Sequence, residues 1–367
     1  MTKIKNKTKA NKGEWSEFYA FLKILDKKQL PAADKNLTPI AGKFFLFNKI
    51  IREEKDEPIK IYDFSKSDTE VVITDESGSV IKTVSNNNLN SKILGIFEKI
   101  KNGKKSAFEI PEAKAVMEEF LCTKVKASNY KKADIVAVIY DRVSETMPML
   151  GFSVKSMIGG ASTLLNAGHT TNFIFKVTDF NGDIDAINNI KTKAKIRDRI
   201  SAITRSGGKL IFEQVANEAF ASNLKNIDTA FPKFIARMLF DFFLGKESTV
   251  SGLVTELSQN EEFSREFGLS SSGYELKVKN FLDSVALGMV PSVEWDGFTK
   301  AHGGYIIVKA DGDVLCYHLY NRDEFRSYLY ENTKFETPSS KRHEYGKLYK
   351  KGDELFFNLN LQIRFLK

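Results

Sequence analysis

The alternation of apolar and polar positions changes period several times along the chain. Trp15, Phe18, Leu22 and Leu25 recur at helical intervals behind Asn11 and Glu14, which have capping-box spacing, and the pattern stops before Pro31. Residues 1–12 read as a disordered basic lead-in to this helix. A short helical pattern covers 44–52 and ends in a charged run before Pro58. Residues 60–84 alternate like strands around the turn cluster Asp75-Glu76-Ser77-Gly78, Asn86-Asn87-Asn88 is a loop, and 91–102 and 111–121 read as helices. Residues 133–139 are rich in β-branched side chains and 150–155 alternate, so both are expected as strands. Period two places Phe152 and Val154 on one face and Ser153 and Lys155 on the other. The polar connection 141–148 suits a hairpin or an irregular turn.

Beyond these, 174–177 reads as a strand, and 183–290 is mostly helical with a break at Ser206-Gly207-Gly208. Within it, 231–244 is apolar except for Lys233, Arg237 and Asp241 at i+4 spacing, the polar edge of a packed helix. Strands return at 304–308, 314–319 and 354–365. Central strands with helices on either side in sequence predict an α/β fold, a mixed central sheet flanked by helices, with additional helical and strand elaborations. No internal repeat and no Pro/Ser-rich linker is evident.

Composition narrows the chemistry. Lys and Arg number 55 against 47 Asp and Glu, a net charge of +8 that favours polyanionic partners. The 29 phenylalanines suggest an aromatic-rich core. Cys122 and Cys316 lie far apart with no CxxC partner, which argues against a disulfide framework and a cysteine zinc site. The four histidines form no HxH or HExxH arrangement, and there is no G-x-S-x-G elbow, no G-x-G-x-x-G after a strand and no P-loop. The basic start lacks an apolar signal core and no run approaches the ~18 apolar residues of a membrane span, so the expectation is a cytoplasmic protein with no membrane partner.

An acid on one strand and a lysine on its neighbour, as in Asp134 and Lys155, can sit over one patch of sheet. That is the layout of metal-dependent nucleases of the PD-(D/E)xK type, where a carboxylate holds Mg²⁺ and a lysine stands beside the attacking water. A surface acid at a strand end and a solvated lysine would give the same letters. The usual second acid, two residues before the lysine, is here Ser153, a poor ligand for a hard cation. Glu17 is the candidate replacement, because Phe21 and Ile24 follow it on one helical line, where burying a carboxylate is costly without a compensating cation. Glu14, Glu118 and Asp141 stand in reserve. The segment 156–172 is dense in glycine, hydroxyls and amides, which suit a DNA backbone or base edges as well as an ordinary polar loop; Ser162, Thr163, Asn166, Thr171 and Asn172 are its candidate contacts. Arg342 and His343 in a cationic, hydroxyl-rich stretch, and Gln362 and Arg364 on the polar face of a late strand, complete the set.

The sequence resembles the HpaII-type restriction endonucleases along nearly its whole length. The resemblance is carried by Gly13-Glu14-Trp15-Ser16-Glu17, Gly151-Phe152-Ser153-Val154-Lys155-Ser156, Thr163-Leu164-Leu165-Asn166-Ala167, Thr171-Asn172-Phe173, Phe335-Glu336-Thr337-Pro338-Ser339-Ser340 with Arg342-His343, and Leu359-Asn360-Leu361-Gln362-Ile363-Arg364-Phe365. It implies a restriction-endonuclease-like core and Mg²⁺-dependent, sequence-specific cutting of double-stranded DNA at a short palindrome; the family's namesake reads CCGG. Asp134 and Glu17 would hold the metal, with Lys155 and Ser153 completing the catalytic set. A two-fold site would suit a homodimer, and a DNA methyltransferase acting on the same site is expected alongside. On this reading 1–367 is one endonuclease unit. Within it, 1–125 supplies the first helix and an inserted α/β subregion, 126–180 the catalytic strands and following loop, and 181–367 a region for DNA recognition. The rival expectations are a DNA-binding protein whose nuclease centre has decayed and a structure-directed repair nuclease on the same core.

Overall fold

The computed structural model describes residues 8–127, 133–141, 145–299 and 301–366. The lead-in expected to be disordered to residue 12 is structured from Ala10 onward, where Ala10 bridges to Phe108; residues 1–7 lie outside the described residues. Helix α1 (Lys12–Lys27) starts on the expected capping box: the Glu14 amide donates to Asn11 Oδ1 at 3.0 Å, and the Asn11 amide donates to Glu14 Oε2 at 2.8 Å. It ends where Lys28 takes a left-handed conformation at φ 56°.

In chain order there follow β1 (Gln29–Ala33), β2 (Pro39–Arg52), β3 (Lys60–Asp63), β4 (Glu70–Thr74), β5 (Val80–Ser85), α2 (Leu89–Asn102), α3 (Pro111–Glu119), β6 (Ile135–Tyr140) and β7 (Met149–Ser156). After these come β8 (Thr163–Leu165), β9 (Asn172–Thr178), α4 (Ile184–Asn188), α5 (Lys195–Arg205), β10 (Lys209–Val215), α6 (Glu218–Ile227) and α7 (Phe231–Leu244). Then α8 (Val250–Ser258), α9 (Glu261–Phe267), α10 (Ser271–Leu287), β11 (Gly304–Val308), β12 (Val314–His318), α11 (Arg322–Glu331), β13 (Thr333–Phe335), β14 (Leu348–Lys351), β15 (Glu354–Asn360) and β16 (Ile363–Phe365) close the chain. They form two compact units, one from Met1–Ser162 with Thr299–Phe325, the other from Thr163–Phe298 with Arg326–Leu366.

The first unit is a mixed α/β fold on a nine-stranded sheet, ordered β1-β12-β11-β7-β6-β2-β3-β4-β5. Strands β6 and β7 are antiparallel, whereas β7 and β11 are parallel. A circuit closes through β1, which pairs with both β12 and β2. Trp15, Phe18, Leu22 and Leu25 of α1 are fully buried in the same core as Phe47, Ala137, Ile139 and Phe152.

The short helix expected at 44–52 is instead the C-terminal part of β2. Its pairing with β6 slips between Phe47 and Lys49, so that the buried residues Phe47 and Ile50 are three apart. A bulge thus imitates helical spacing inside a strand.

The second unit carries a four-stranded sheet, β10-β9-β15-β14, and a three-stranded one, β13-β16-β8. Its α7 has the expected polar edge: Lys233 pairs with Glu266, and Arg237 with Asp241 at 2.9 Å. The short strands β8, β13 and β14 were not expected, and neither were two longer elements. β10 follows the glycine break directly, and α11 stands between the late strands. The 354–365 stretch divides into β15 and β16 around Leu361 and Gln362. Among the described residues no helix is long and apolar enough to cross a membrane.

Candidate active site

Asp134 sits one residue before β6, and three contacts fasten it to β7. Its amide donates to the Phe152 carbonyl at 2.9 Å; its Oδ2 accepts from the Val154 amide at 2.8 Å and from Ser153 Oγ at 3.1 Å. The alternation of β7 is as expected: Phe152 and Val154 are buried, while Ser153 and Lys155 take the other face. On the neighbouring strand β11, Tyr305 is in register with Ser153, and the Lys155 ammonium lies 5.5 Å from the centre of the Tyr305 ring. A cation over an aromatic face is held electrostatically by the ring quadrupole.

Helix α1 brings Glu17 into this field. Burial, reinforced by the negative charge of Asp134, raises its pKa to about 7; Lys126, 3.8 Å away, and Lys155 pull the other way. The Glu17 side chain is only 15% exposed. Burial also lowers the pKa of Lys155, against the opposing attraction of Asp134 and Glu17, with Lys126 adding to the fall. At Ser16 the helix is tied to the end of β7, its Oγ bonding Ser156 Oγ at 2.8 Å.

A carboxyl pushed to neutrality beside a second carboxylate marks a desolvated site short of positive charge, and such a donor set fits a hard divalent cation. Among the described residues no group of three or more His, Cys, Asp and Glu is gathered to hold a metal. Two carboxylates with water completing the shell is the manner in which Mg²⁺ is commonly held.

Of the reserve acids, Glu14 adds its charge to the field at Glu17, and each of the three is placed for another part. Glu14 is engaged in the helix cap, Glu118 is exposed on α3, and Asp141 is buried at the far end of β6, where Tyr320 Oη donates to it. Lys126 was not expected. It follows a turn held by a buried ion pair: Arg52 Nε donates to Glu54 Oε1 at 2.7 Å, and Arg52 Nη2 reaches the Lys124 and Val125 carbonyls at 2.6 and 3.0 Å. Burial would raise the pKa of Glu54, but Arg52 and the Thr123 donors outweigh it and hold the carboxyl below its ordinary range. Arg52→Met takes from buried Glu54 the cation that hydrogen-bonds it and leaves Lys60 Nζ, 3.9 Å from Glu54 Oε2, as the remaining cation. It is expected to cost about 3–5 kcal/mol, read from the denaturant midpoint at constant slope. A loss under about 1 kcal/mol would show that the pair is not what fastens this turn.

Of the residues expected at DNA, Ser162 lies in the first unit, where its Oγ donates to the Ser156 carbonyl at 2.8 Å. The others fall in the second unit, gathered from distant parts of the chain. Asn166 is exposed. Thr171 and Asn172 are buried: Thr171 Oγ1 bonds Gly168, Asn172 Nδ2 donates to the His343 carbonyl at 3.0 Å, and Asn360 Nδ2 donates to Asn172 Oδ1 at 2.7 Å. Asn172 therefore braces the loop that carries His343 and Thr171 the turn that carries His169, and the two imidazole rings stand 6.4 Å apart. Arg342 is exposed; Gln362 and Arg364 are half-buried. Arg364 Nε bonds Thr163 Oγ1 at 3.2 Å and Glu336 Oε2 at 2.9 Å, which fixes its guanidinium beside β8.

Comparison with known proteins bears on the family of the chain. The model of the family described as HpaII restriction endonuclease matches residues 11–365. Over 364 residues, 97% of this chain and 98% of the relative, the sequence is 37% identical to the type II restriction enzyme HpaII of Haemophilus parainfluenzae. No solved structure matches. A match of this extent, together with a mixed α/β fold on a central mixed sheet, shows that the chain belongs to the HpaII family of restriction endonucleases.

Proposed function

We propose that this chain makes Mg²⁺-dependent double-strand cuts at a short palindrome, with CCGG as the first candidate site. The observation that carries the reading is the convergence of Glu17, Asp134 and Lys155 at one desolvated place, in a chain of this family. Asp134 and Glu17 are the residues that would hold Mg²⁺, which when bound supplies charge for the scissile phosphate and lowers the pKa of its water. Lys155 orients or deprotonates the attacking water and adds positive charge beside the phosphate. Ser153 holds the Asp134 carboxylate in place, a part that needs a hydroxyl donor and no acid. Lys126 shields Glu17 before a cation binds. Arg342, His343, Asn166 and Arg364 are the DNA-facing residues of the second unit. Thr171 and Asn172 act behind them as supports. The enzyme works in the cytoplasm as a homodimer matched to its two-fold site, beside a methyltransferase that protects the same sequence.

Digestion of unmethylated phage DNA by the purified chain, with Mg²⁺ or with EDTA, tests this directly. Discrete fragments with Mg²⁺ and none with EDTA are expected, and sequencing their ends defines the site. Retention of DNA in a gel shift without cleavage would move the reading to a decayed binder. Nicking without a fixed sequence would move it to a structure-directed nuclease.

A further inference from the structure

We propose that a lysine-lined groove in the second unit holds the phosphate backbone of duplex DNA. The proposal rests on the endonuclease reading and names a surface that reading leaves open. The groove, about 960 Å³, runs between the 188–199 segment and the 340–349 segment. A second cavity of about 380 Å³ shares Lys193, Lys195 and Lys341 with it and adds Arg197.

Charge and construction both point to a polyanion. Lys191, Lys193, Lys341 and Lys347 line the groove and are exposed. None of the four makes an ion pair among the described residues. Glu344 is the carboxylate in the lining, and it stands 3.8 Å from His169.

Like charges crowded together repel, so the frame beneath them has to be firm, and it is. The guanidinium of buried Arg199 donates to the carbonyls of Asn188 (2.6 Å), Ile190 (2.8 Å) and Gly346, tying the two walls together. Asn188 adds a reciprocal pair with the Leu348 backbone, at 2.9 and 2.8 Å. The cations are thus concentrated on a prebuilt concave surface before any partner arrives. Lysine ammonium groups are point charges that suit phosphate oxygens and carry no base preference. The groove therefore contributes affinity, and sequence choice is made elsewhere.

The test is the quadruple variant Lys191→Gln, Lys193→Gln, Lys341→Gln, Lys347→Gln, with its all-Arg counterpart as the charge-retaining control. Arg199 is left in place because it holds the frame. Binding of a random-sequence duplex in EDTA is followed by fluorescence anisotropy over a salt series. Each phosphate contact contributes about 0.9 to the slope of log affinity against log salt, so the Gln variant is expected to be shallower by about 3 to 4. The Arg variant keeps the slope. Phage DNA is cut by the Gln variant at unchanged positions, with a rate that falls at lower salt than for the wild type. A wild-type slope in the Gln variant, with cleavage intact, overturns the groove and spares the endonuclease reading. Loss of the slope in the Arg variant as well overturns it too, since charge would then not be the cause. A wild-type chain that neither binds nor cuts duplex DNA overturns both.

Discussion

Lys155→Ala is expected to lower Mg²⁺-dependent cleavage by about 10²–10⁴-fold, the usual contribution of a positioned proton-transfer or charge-stabilising group, while duplex binding in EDTA stays within a few-fold of wild type. The expectation follows from where the ammonium is held. It projects from the same face of β7 as Ser153, beside the carboxylate that Ser153 and Val154 clamp, with the Tyr305 ring against it. Burial lowers its pKa, so it parts with a proton more readily than a surface lysine. Lys155→Met keeps the aliphatic stem over the Tyr305 ring and removes only the charge; its loss should equal that of the alanine variant. Single-turnover cleavage of a labelled duplex measures both. Residual cleavage within tenfold of wild type in both variants would remove Lys155 from the chemistry.

The second large effect concerns Glu17, with opposite signs in stability and in function. Its carboxyl titrates at about 7 in the folded, metal-free protein because burial and the Asp134 charge oppose ionisation, against about 4.3 for an unperturbed glutamate. The native state therefore holds a proton that the unfolded chain has released between these two values. Stability from this group is complete below the unfolded pKa and is lost as pH rises through the folded one. Glu17→Gln removes the titration. It is expected to match the wild type near pH 5 and to be more stable by about 2–3 kcal/mol at pH 8, without divalent cation. In the presence of Mg²⁺ the order reverses: the wild type gains melting temperature and the Gln variant gains little. Cation affinity of the wild type should also weaken as pH falls through about 7, where a proton competes for the carboxylate. Cleavage by Glu17→Gln falls together with that of Lys155→Ala. Glu14→Gln, altering an acid that caps the helix, should cost about 1 kcal/mol or less and leave cleavage within about twofold. Melting curves of wild type and Glu17→Gln that coincide across pH and respond equally to Mg²⁺ would refute the assignment of Glu17 to the cation.

Much of the local structure around the proposed site was legible because it is written in short periods. The Asn11–Glu14 box begins α1 where its spacing predicts, and the alternation of 150–155 sets Ser153 and Lys155 on one face. Glu17 was legible through a conflict, a carboxylate on the same helical line as Phe21 and Ile24. What escaped were features whose cause lies outside the local pattern. The slip between Phe47 and Lys49 gives β2 a helix-like spacing, because only pairing with β6 defines a bulge. β10 also slips against β9, between Phe212 and Gln214, and is partly exposed along most of its length, so its alternation carries little contrast. Thr171 and Asn172 have the residue types of a DNA-contacting loop, but Gly168, Asn360 and the His343 backbone absorb their hydrogen bonds.

By itself the sequence determined the helix that carries Glu17, the strand that follows Asp134 and the strand that carries Lys155, and the absence of an acid at Ser153, since each depends on propensity and spacing over a few residues. Only the tertiary structure decided that Glu17 shares a desolvated field with Asp134, that Tyr305 and Lys126 stand around it, and that lysines near 191 and 341 line one groove. Those are matters of register between strands and of contacts between residues far apart in the chain. A pKa, likewise, depends on the charges and the water that folding leaves around a group, and no local pattern encodes either.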